Sequence, residues 1–575
     1  MAVEQLITQH IDTWTSALKT RSTAGRGSNG KIDLYGIKKL RELILELAVR
    51  GKLVPQDLND EPASELLKRI AAEKAELVKQ GKIKKQKSLP EISEEEEPFE
   101  LPEGWEWVRF GDISEIERGG SPRPIKDYIT TEENGLSWIK IGDTDIGGKY
   151  ISSADEKIKP SGLHKTRMVY PGDFLLTNSM SFGRPYITLI EGCIHDGWLR
   201  ISPPSLLDKD FLYQLLSSPF IIKAFKEKAS GAVVLNLNAD KVRETFILIP
   251  PFSEQQRIVA KVNELMSLCD QLEQQSLASL DAHSQLVETL LTTLTDSQNA
   301  EEVAENWARI SQHFDTLFTT EASIEALKQT ILQLAVMGKL VPQDPNDEPA
   351  SELLKRIEQE KAQLVKEGKI KKQKPLPPVI DEEKPFVLPQ GWEWCRLGHC
   401  IHLISGQHLK PNEYTENIIE GAIPYITGPA EFGDLNPTYS KFTIEKRAVA
   451  EPKDILVTCK GAGLGKLNVA NVEIAISRQL MAIRTVRANC DYFKLLLSSM
   501  YDYFQAKGVG IAIPGISRED VIEPVISLPP LNEQERIVSR VNALFGTCDH
   551  LKSRLKSAQQ TQLHLADAFT DAALN

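Results

Sequence analysis

Two segments of the chain carry apolar residues at spacings of three and four, which is the pattern of a helix with one buried face. Their apolar positions are Ile37, Leu40, Ile44 and Leu47 in the first segment and Ile324, Leu327, Ile331 and Leu334 in the second. A glycine, Gly51 or Gly338, follows each segment as a helix stop. The pattern predicts two matching amphipathic helices, each followed by a charged helix that begins near Pro62 or Pro349.

Two further segments predict long helices with a narrow apolar seam. The seam positions alternate steps of four and three, and they are Ile258, Val262, Leu265, Cys269 and Leu272 in one segment and Ile537, Val541, Leu544, Cys548 and Leu551 in the other. Each seam follows a helix-capping pattern, Ser253-x-x-Gln256 or Asn532-x-x-Glu535. The spacing is typical of a coiled coil, and about 40 residues of helix span roughly 60 Å.

The helical segments belong to an internal duplication. The block 47–57 recurs as 334–344 with one substitution, and the block 250–259 recurs as 529–538. The intervening stretches 112–230 and 399–509 share little sequence. The chain therefore alternates a duplicated scaffold with two diverged modules.

The order of the duplicated parts predicts a closed arrangement. The centre of the chain holds a seam helix followed by an amphipathic helix, whereas at the two ends these parts are separated. A pseudo-two-fold, circular molecule with two antiparallel seam helices between the modules restores the same unit twice. The predicted segments are an N-terminal arm 1–103, a first module 104–250, a central helical spacer 251–390, a second module 391–529 and a C-terminal helix 530–575.

Within the modules, short apolar runs that follow turn residues predict β-strands. Such runs occur at 172–177 and 453–458, and again at 135–140 and 421–426. Combined with the helices, they predict a mixed α/β (α+β) fold for each module.

Charge and cysteine usage narrow the functional classes. The net charge of −12 argues against bulk electrostatic binding of nucleic acid, but the modules are close to neutral, with 16 basic against 17 acidic side chains in 104–230. The excess acid lies in the arms and linkers, as in 94–97, which is most simply a solvated linker and alternatively a docking segment for a basic partner. Modules that contact DNA then need local basic patches, or a partner that supplies positive charge. Seven scattered cysteines and no long apolar run predict a reduced, cytoplasmic protein without a membrane span.

The module boundaries resemble those of a known family. A Trp-x-x-[Phe/Leu]-Gly pattern opens each module at 107–111 and 394–398, and a hydrophobic-Pro-Pro-x-x-Glu-Gln-x-Arg-Ile pattern closes each at 249–258 and 528–537. Together with the strands around 138–140 and 424–426, these motifs resemble the specificity subunits of type I restriction-modification enzymes. The N-terminal arm and the repeated Gly-Lys-Leu-Val-Pro-Gln-Asp block resemble the longer subgroup called type IB.

The resemblance implies a division of labour. Each module is a target-recognition domain for one half of a bipartite double-stranded DNA site, and the coiled coil fixes the spacer between the half-sites. Methyltransferase subunits dock on the helices and methylate adenine, and restriction/translocase subunits cleave distant DNA. The resemblance implies no cofactor in this chain, with S-adenosylmethionine, ATP and Mg²⁺ on the partner subunits.

Candidate DNA contacts are loop donors and acceptors for base edges, with lysine and arginine for phosphates. In the first module they are Arg118, Ser121, Arg123, Lys140, Thr177, Asn178, Ser179, Ser181, Arg184 and His195. In the second module they are Gln407, Lys410, Lys460, Lys466, Ser477, Arg478 and Gln479. The alternative for each residue is an ordinary solvated turn.

Two other motifs are better explained without a ligand. The run 460–466 is one residue short of a phosphate-binding loop and lacks the final Ser or Thr, so it predicts a DNA-backbone contact or a glycine turn. Cys395, His399, Cys400 and His402 lack the paired spacing of a zinc site, which favours ordinary strand residues and no metal.

No catalytic residues are expected. The chain has no Asp/Asn-Pro-Pro-Tyr/Phe motif of the kind used by adenine methyltransferases, no H-E-x-x-H motif and no obvious nuclease cluster. Two rival interpretations remain at this point, an autonomous enzyme such as a fused methyltransferase and a duplicated helical adaptor that binds proteins instead of DNA.

Overall fold

The computed structural model describes residues 7–21, 31–83, 89–90, 92–145, 147–178, 183–229, 237–461, 463–508 and 514–574. The chain forms two compact units. Unit 1 combines Met1–Ser279 with Ala558–Asn575, and unit 2 comprises Leu280–Ser557. Within the described ranges, no helix is both long enough and apolar enough to cross a membrane.

Each unit contains arm helices, a mixed module and parts of two long helices. The shorter helices of unit 1 are Ile11–Ser16, Tyr35–Val49, Ala63–Lys79, Phe110–Ile113, Lys209–Ser217, Pro219–Lys228 and Ala239–Arg243. Those of unit 2 are Ala300–Gln312, Phe314–Leu317, Glu321–Val336, Ala350–Lys366, Leu397–Cys400, Cys490–Ser499, Tyr501–Lys507 and Glu519–Ile522. The long helix Phe252–Asp296 begins in unit 1 and ends in unit 2, whereas Leu531–Leu574 begins in unit 2 and ends in unit 1.

The two predicted amphipathic helices are confirmed as Tyr35–Val49 and Glu321–Val336, with their apolar faces buried. After each of the two helices, the backbone continues through a glycine in the left-handed region, Gly51 at φ 64° and Gly338 at φ 71°. A side chain is disfavoured in that backbone conformation, which explains the glycine after each helix.

The two ends of the chain pack together inside unit 1, as the circular arrangement predicts. The Tyr35 hydroxyl donates to the Asp567 carboxylate at 2.7 Å, and the rings of His10 and Phe569 stack with centroids 4.0 Å apart. Lys52 Nζ donates to the terminal-turn carbonyl of Leu574 at 2.7 Å, which satisfies one of the open carbonyls at the end of the last helix.

Two five-stranded sheets form the first module. One has the strand order Glu115–Arg118, Trp198–Ser202, Phe174–Thr177, Pro185–Thr188 and Tyr150–Ile151. The other has the order Ile129–Thr130, Glu156–Ile158, Leu136–Ile139, Gly192–Ile194 and Arg167–Val169. A separate antiparallel pair, Glu106–Arg109 with Phe246–Ile249, joins the start and end of the module.

The second module repeats this plan with four-stranded sheets. One has the order Ile401–Ser405, Leu480–Thr485, Ile455–Thr458 and Leu467–Val469, and the other has the order Phe442–Thr443, Ile423–Ile426, Ile474–Ile476 and Val449–Ala450. The pair Glu393–Arg396 with Val525–Leu528 joins the module ends. The predicted strands within 172–177, 453–458, 135–140 and 421–426 are all present.

The apolar seams pack within the units. Ile258, Val262 and Cys269 are buried in unit 1, and Ile537 and Val541 belong to the main core of unit 2. That core also contains Ile324, Leu327 and Ile331 of the amphipathic helix. The seam spacing therefore reflects packing inside each unit, in addition to any pairing of the long helices with each other.

The long helices begin one residue before the predicted caps, at Phe252 and Leu531 instead of Ser253 and Asn532. The backbone N–H of Gln255 donates to the Pro251 carbonyl at 2.9 Å, so the first helical turn already includes Pro251. In addition, Gln255 Nε2 donates to the Pro250 carbonyl at 2.9 Å, which ties this side chain to the end of the preceding strand segment.

The same buried hydrogen bond ties each module entrance to its long helix. Trp105 Nε1 donates to Glu254 Oε2 at 2.9 Å in unit 1, and Trp392 Nε1 donates to Glu533 Oε2 at 3.0 Å in unit 2. Burial raises the pKa of both glutamates. The duplicated sequence thus produces a duplicated joint at the base of each module.

Candidate nucleic-acid interface

Four loops converge at one end of the sheets in each module. Corner 1, the name used here for this part of the first module, comprises 118–123, 140–143, 178 with 183–184, and 195–197. Corner 2 comprises 405–410, 427–431, 459–461 with 463–466, and 477–479 of the second module.

The two corners share one backbone framework despite their different sequences. Four backbone N–H to C=O hydrogen bonds of corner 1 have a counterpart in corner 2. In corner 1 they run from Gly119 to Trp198 (2.9 Å), Gly120 to Ile194 (3.2 Å), Asn178 to Gly197 (3.0 Å) and Thr177 to Arg184 (3.1 Å). In corner 2 the counterparts, in the same order, run from Gly406 to Leu480 (3.1 Å), Gln407 to Ile476 (2.9 Å), Cys459 to Gln479 (2.8 Å) and Thr458 to Lys466 (2.9 Å). These bonds make Asp196 the structural counterpart of Arg478, His195 that of Ser477, and Arg184 that of Lys466.

Corner 1 encloses a cleft of about 940 Å³. Five of the predicted residues line it, namely Arg118, Ser121, Arg123, Lys140 and His195. Trp138, Glu156 and Asp196 also line the cleft, and sequence reasoning missed all three as site residues. The available signal for Asp196 was a charged residue in a short loop directly after a strand, next to the predicted His195.

Asp196 organises corner 1. Ser121 Oγ donates to Asp196 Oδ1 at 2.6 Å, and Arg123 Nη2 lies 3.4 Å from Asp196 Oδ2. Arg118 Nε and Asn178 Nδ2 donate to the Asp196 backbone carbonyl at 3.2 and 2.8 Å. The hydrogen bond from Ser121 lowers the pKa of the Asp196 carboxyl, which keeps it an ionised acceptor.

His195 is held in a neutral form. Burial lowers the pKa of its imidazole. The backbone N–H groups of Ile141 and Gly197 point at Nε2 and Nδ1, at 3.2 and 2.6 Å. Because a neutral imidazole accepts at only one nitrogen, one of these two contacts is a full hydrogen bond and the other nitrogen carries the proton.

The other predicted residues of corner 1 occupy different environments. Lys140 forms an ion pair with Glu156 at 2.7 Å, and Arg184 is exposed to solvent. Thr177 and Asn178 are buried, at 0% and 1% exposure, so they support the loops from inside. Ser179 and Ser181 lie outside the described residues.

Corner 2 presents most of its predicted residues to solvent. Exposed positions are Gln407, Lys410, Lys460, Lys466, Arg478 and Gln479. Among the residues that the structure describes, neither Arg478 nor any of the three lysines has an acidic side chain within ion-pair distance. Ser477 is the exception, since it is buried and its hydroxyl donates to the Thr427 carbonyl at 2.5 Å.

The described residues of the glycine-rich run, 460–461 and 463–466, lie between the antiparallel strands Ile455–Thr458 and Leu467–Val469. Gly465 N donates to the Thr458 carbonyl at 2.9 Å, and Gly461 and Gly465 both have positive φ, at 92° and 77°. In corner 1 the same bond joins Gly183 N to the Thr177 carbonyl at 2.9 Å. The glycines therefore serve the turn shared by both corners.

The cysteine and histidine group 395–402 lies away from the corners. Cys395 belongs to the entrance strand Glu393–Arg396, and its sulfur lies 3.6 Å from that of Cys400 in the core of unit 2. His402 lies in the strand Ile401–Ser405. Over the described part of the chain, no three or more His, Cys, Asp or Glu side chains are grouped as a metal site.

Comparison with known proteins gives a consistent assignment. Residues 102–282 and 389–559 match the model of the type I restriction modification DNA specificity domain. The chain is 51% identical to the type I restriction enzyme EcoEI specificity subunit and 48% identical to the EcoAI specificity subunit, both from Escherichia coli, and each comparison covers 100% of both chains. A solved chain from work on complex assembly and conformational transition of the type I R-M system aligns with a TM-score of 0.49 at 23% identity, over 83% of this chain and 99% of that chain.

Proposed function

Because the chain belongs to the family of type I restriction-modification DNA specificity subunits, we propose that each of its two modules recognises one half of a bipartite double-stranded DNA target. As a member of this family, the chain is a DNA-recognition subunit and not itself an enzyme. Catalysis belongs to the proteins that it directs to DNA.

The shared framework of the two corners carries this proposal. The same backbone hydrogen bonds hold loops whose side chains differ almost throughout, such as Asp196 in one corner and Arg478 in the other. A rigid framework with variable side chains suits two modules that recognise different sequences in the same manner. The polar, partly basic character of the exposed loop residues suits contacts with base edges and phosphates.

The long helices are proposed to set the spacing between the half-sites. Phe252–Asp296 and Leu531–Leu574 begin in opposite units and end in opposite units. This order favours an antiparallel pair of helices between the modules, as a rigid spacer requires. The seams support the proposal only in part, because several of their residues are already buried within the units.

The partners follow from the same assignment. We infer that methyltransferase subunits dock on this chain to methylate adenine in the half-sites, and that restriction/translocase subunits join them. S-adenosylmethionine, ATP and Mg²⁺ are then bound by those subunits, in the cytoplasm. The identity of 48–51% to specificity subunits over the full length of both chains disfavours the fused-methyltransferase interpretation. The two matches to a DNA specificity domain disfavour the protein-binding adaptor.

Genome-wide mapping of methylated adenine tests the proposal. The chain is co-expressed with its methyltransferase subunit in a host that lacks other adenine methylation. The expected result is a split motif with a fixed gap. A continuous motif, or no methylation despite a stable complex, would contradict the proposal and favour the adaptor interpretation.

A further inference from the structure

We propose that the middle residue of the loops 195–197 and 477–479 sets the hydrogen-bond polarity of base recognition in each module. Asp196 supplies an acceptor, and its half-site presents a base amino group at the contacted position. Arg478 supplies a donor fork, and its half-site presents a guanine. This inference rests on the proposed function, because it concerns which bases the two modules recognise.

The two residues occupy the same place in the framework. Their loops follow the matching strands Gly192–Ile194 and Ile474–Ile476. The residues after them, Gly197 and Gln479, accept the matching backbone bonds from Asn178 and Cys459. A difference in side chain at this position is therefore a difference in chemistry on equivalent backbone.

The loop that carries Arg478 is fixed from both sides. Ser477 Oγ donates to the Thr427 carbonyl and also accepts the backbone N–H of Gln479 at 3.2 Å. The Arg478 carbonyl accepts a contact from the Cys459 thiol at 3.6 Å. A rigid base of this kind reduces the entropy lost when the long side chain binds.

The guanidinium of Arg478 is available for DNA. The residue is exposed, and no acidic side chain in the described part of the chain pairs with it. An arginine fork matches the O6 and N7 acceptors of guanine in the major groove, which is the commonest base-specific contact of this side chain. Lys410, Lys460 and Lys466 belong to the same corner and are exposed, so they supply charge for neighbouring phosphates.

Asp196 has the opposite character and a different environment. Its carboxylate accepts Ser121 at one oxygen and lies near Arg123 at the other, and its side chain is 43% exposed. A carboxylate has about four acceptor positions, so two neighbours leave capacity for a further donor. The donors that DNA bases offer in the major groove are the amino groups of cytosine and adenine.

Adenine-methylation maps of the complete complex test both halves of the inference. The variants are Arg478→Gln, Arg478→Lys and Asp196→Asn, with Arg487→Gln and Lys226→Gln as controls on exposed residues of the same modules outside the corners. Arg478→Gln is expected to reduce selectivity for guanine at one position by about 5- to 150-fold, the range of one bidentate base contact. Arg478→Lys keeps the charge without the planar fork and is expected to retain more affinity and more of the guanine selectivity than Arg478→Gln.

Asp196→Asn is expected to relax selectivity for cytosine or adenine at one position of the other half-site only. Both controls are expected to leave the motif unchanged. A uniform loss of methylation across sequences in the Arg478 variants would overturn the inference, because it indicates a phosphate contact. Relaxed selectivity for guanine in Asp196→Asn would also overturn it, because Asp196 then acts by positioning Arg123.

The wild-type map separates this inference from the proposed function. A split wild-type motif with unchanged base selectivity in the variants contradicts only the inference. A wild-type motif without two halves contradicts the proposed function itself, and the inference fails with it.

Discussion

Corner 1 and corner 2 have the same backbone hydrogen bonds, but the side chains at their centres, Asp196 and Arg478, carry opposite charges. In corner 1 a carboxylate at the centre engages Ser121 and Arg123, and Lys140 is paired with Glu156. In corner 2 an arginine stands at the centre, and the surrounding lysines extend into solvent without acidic partners in the described residues. The difference indicates that the two copies kept the backbone hydrogen bonds that hold the loops, whereas the side chains of the loops diverged. The near-neutral charge of each module conceals this contrast.

The largest expected effect concerns DNA affinity. Replacing Lys410, Lys460 and Lys466 together by glutamine removes three unpaired charges from corner 2. If each contacts one phosphate, the salt dependence of binding falls by about 2.7 in log–log slope, and affinity at physiological salt falls about a hundredfold. The measurement is binding of the methyltransferase complex to its bipartite duplex at several salt concentrations.

The control replaces Lys355, Lys366 and Lys369, three exposed lysines of the arm in the same unit, of which Lys355 and Lys369 pair with Glu352 and Glu367. This control is expected to leave the slope within experimental error. For corner 1, Arg184→Gln is expected to lower the slope by no more than about 0.9, because it removes one positive charge and therefore one phosphate contact at most. Equal slopes for all three variants would show that the electrostatic contrast between the corners has no role in binding.

Unlike the corners, the duplicated scaffold is expected to respond to equivalent substitutions equally in both units. Trp105→Phe and Trp392→Phe each remove the donor to a buried glutamate, at a cost of about 1–3 kcal/mol in local stability. Hydrogen exchange measured separately for peptides of unit 1 and unit 2 reports this loss. Trp394→Phe is the control, since its indole has no hydrogen-bond partner within the described residues.

If one of the two substitutions left local stability unchanged, the joints of unit 1 and unit 2 would not be equivalent. That result would contradict the view that the duplicated sequence builds equivalent scaffolds. It would also show that the units differ at the bases of their modules as well as in the corners.

The smallest expected effect is a pH dependence in unit 2. Lys361 Nζ donates to the carbonyls of Gly398 and Ile401 at 2.7 and 2.9 Å, and burial lowers its pKa to about 8. Between pH 8 and the ordinary lysine pKa of 10.5, the unfolded chain binds a proton that the folded chain has released. The free energy of unfolding therefore gains a contribution that rises with pH in this window.

Lys361→Met is expected to remove that contribution, which amounts to about 1 kcal/mol between pH 8 and 9. Hydrogen exchange of unit 2 peptides at several pH values, compared between the variant and the wild type, measures it. Lys74, the counterpart in unit 1, also has a pKa lowered by burial, so Lys74→Met should give a change of the same sign. A pH-independent difference between the variant and the wild type would contradict the assignment.

The sequence predicted the scaffold well, because helices and repeats have local signatures. The periodicity of Ile37 to Leu47 and the glycine at Gly51 are sufficient to place a helix and its end. The surface against which the seam packs could not be predicted from the sequence. Ile537 and Val541 belong to the core of unit 2, and the spacing of apolar residues does not identify the residues that they contact.

The candidate site could be located but not resolved from the sequence. Turn residues and basic residues pointed to loops that the structure brings together in each module, and five of the predicted residues line one cleft. Burial of Asn178 and Ser477 could not be foreseen, because it depends on loops that are distant in sequence. Asp196 was missed for the same reason, since its role arises from contacts with residues about 75 positions earlier. Which of these residues contact DNA remains a prediction.

Exchange of one module tests the central claim most directly. Residues 104–250 are replaced by the corresponding module of the 51% identical Escherichia coli relative, and methylated adenine is mapped for the chimaeric complex. The account predicts that one half-site becomes that of the relative's module while the other half-site and the gap stay the same. A change in both half-sites, or a chimaeric motif that lacks the half-site of the inserted module, would contradict the claim that each module recognises its own half of the target.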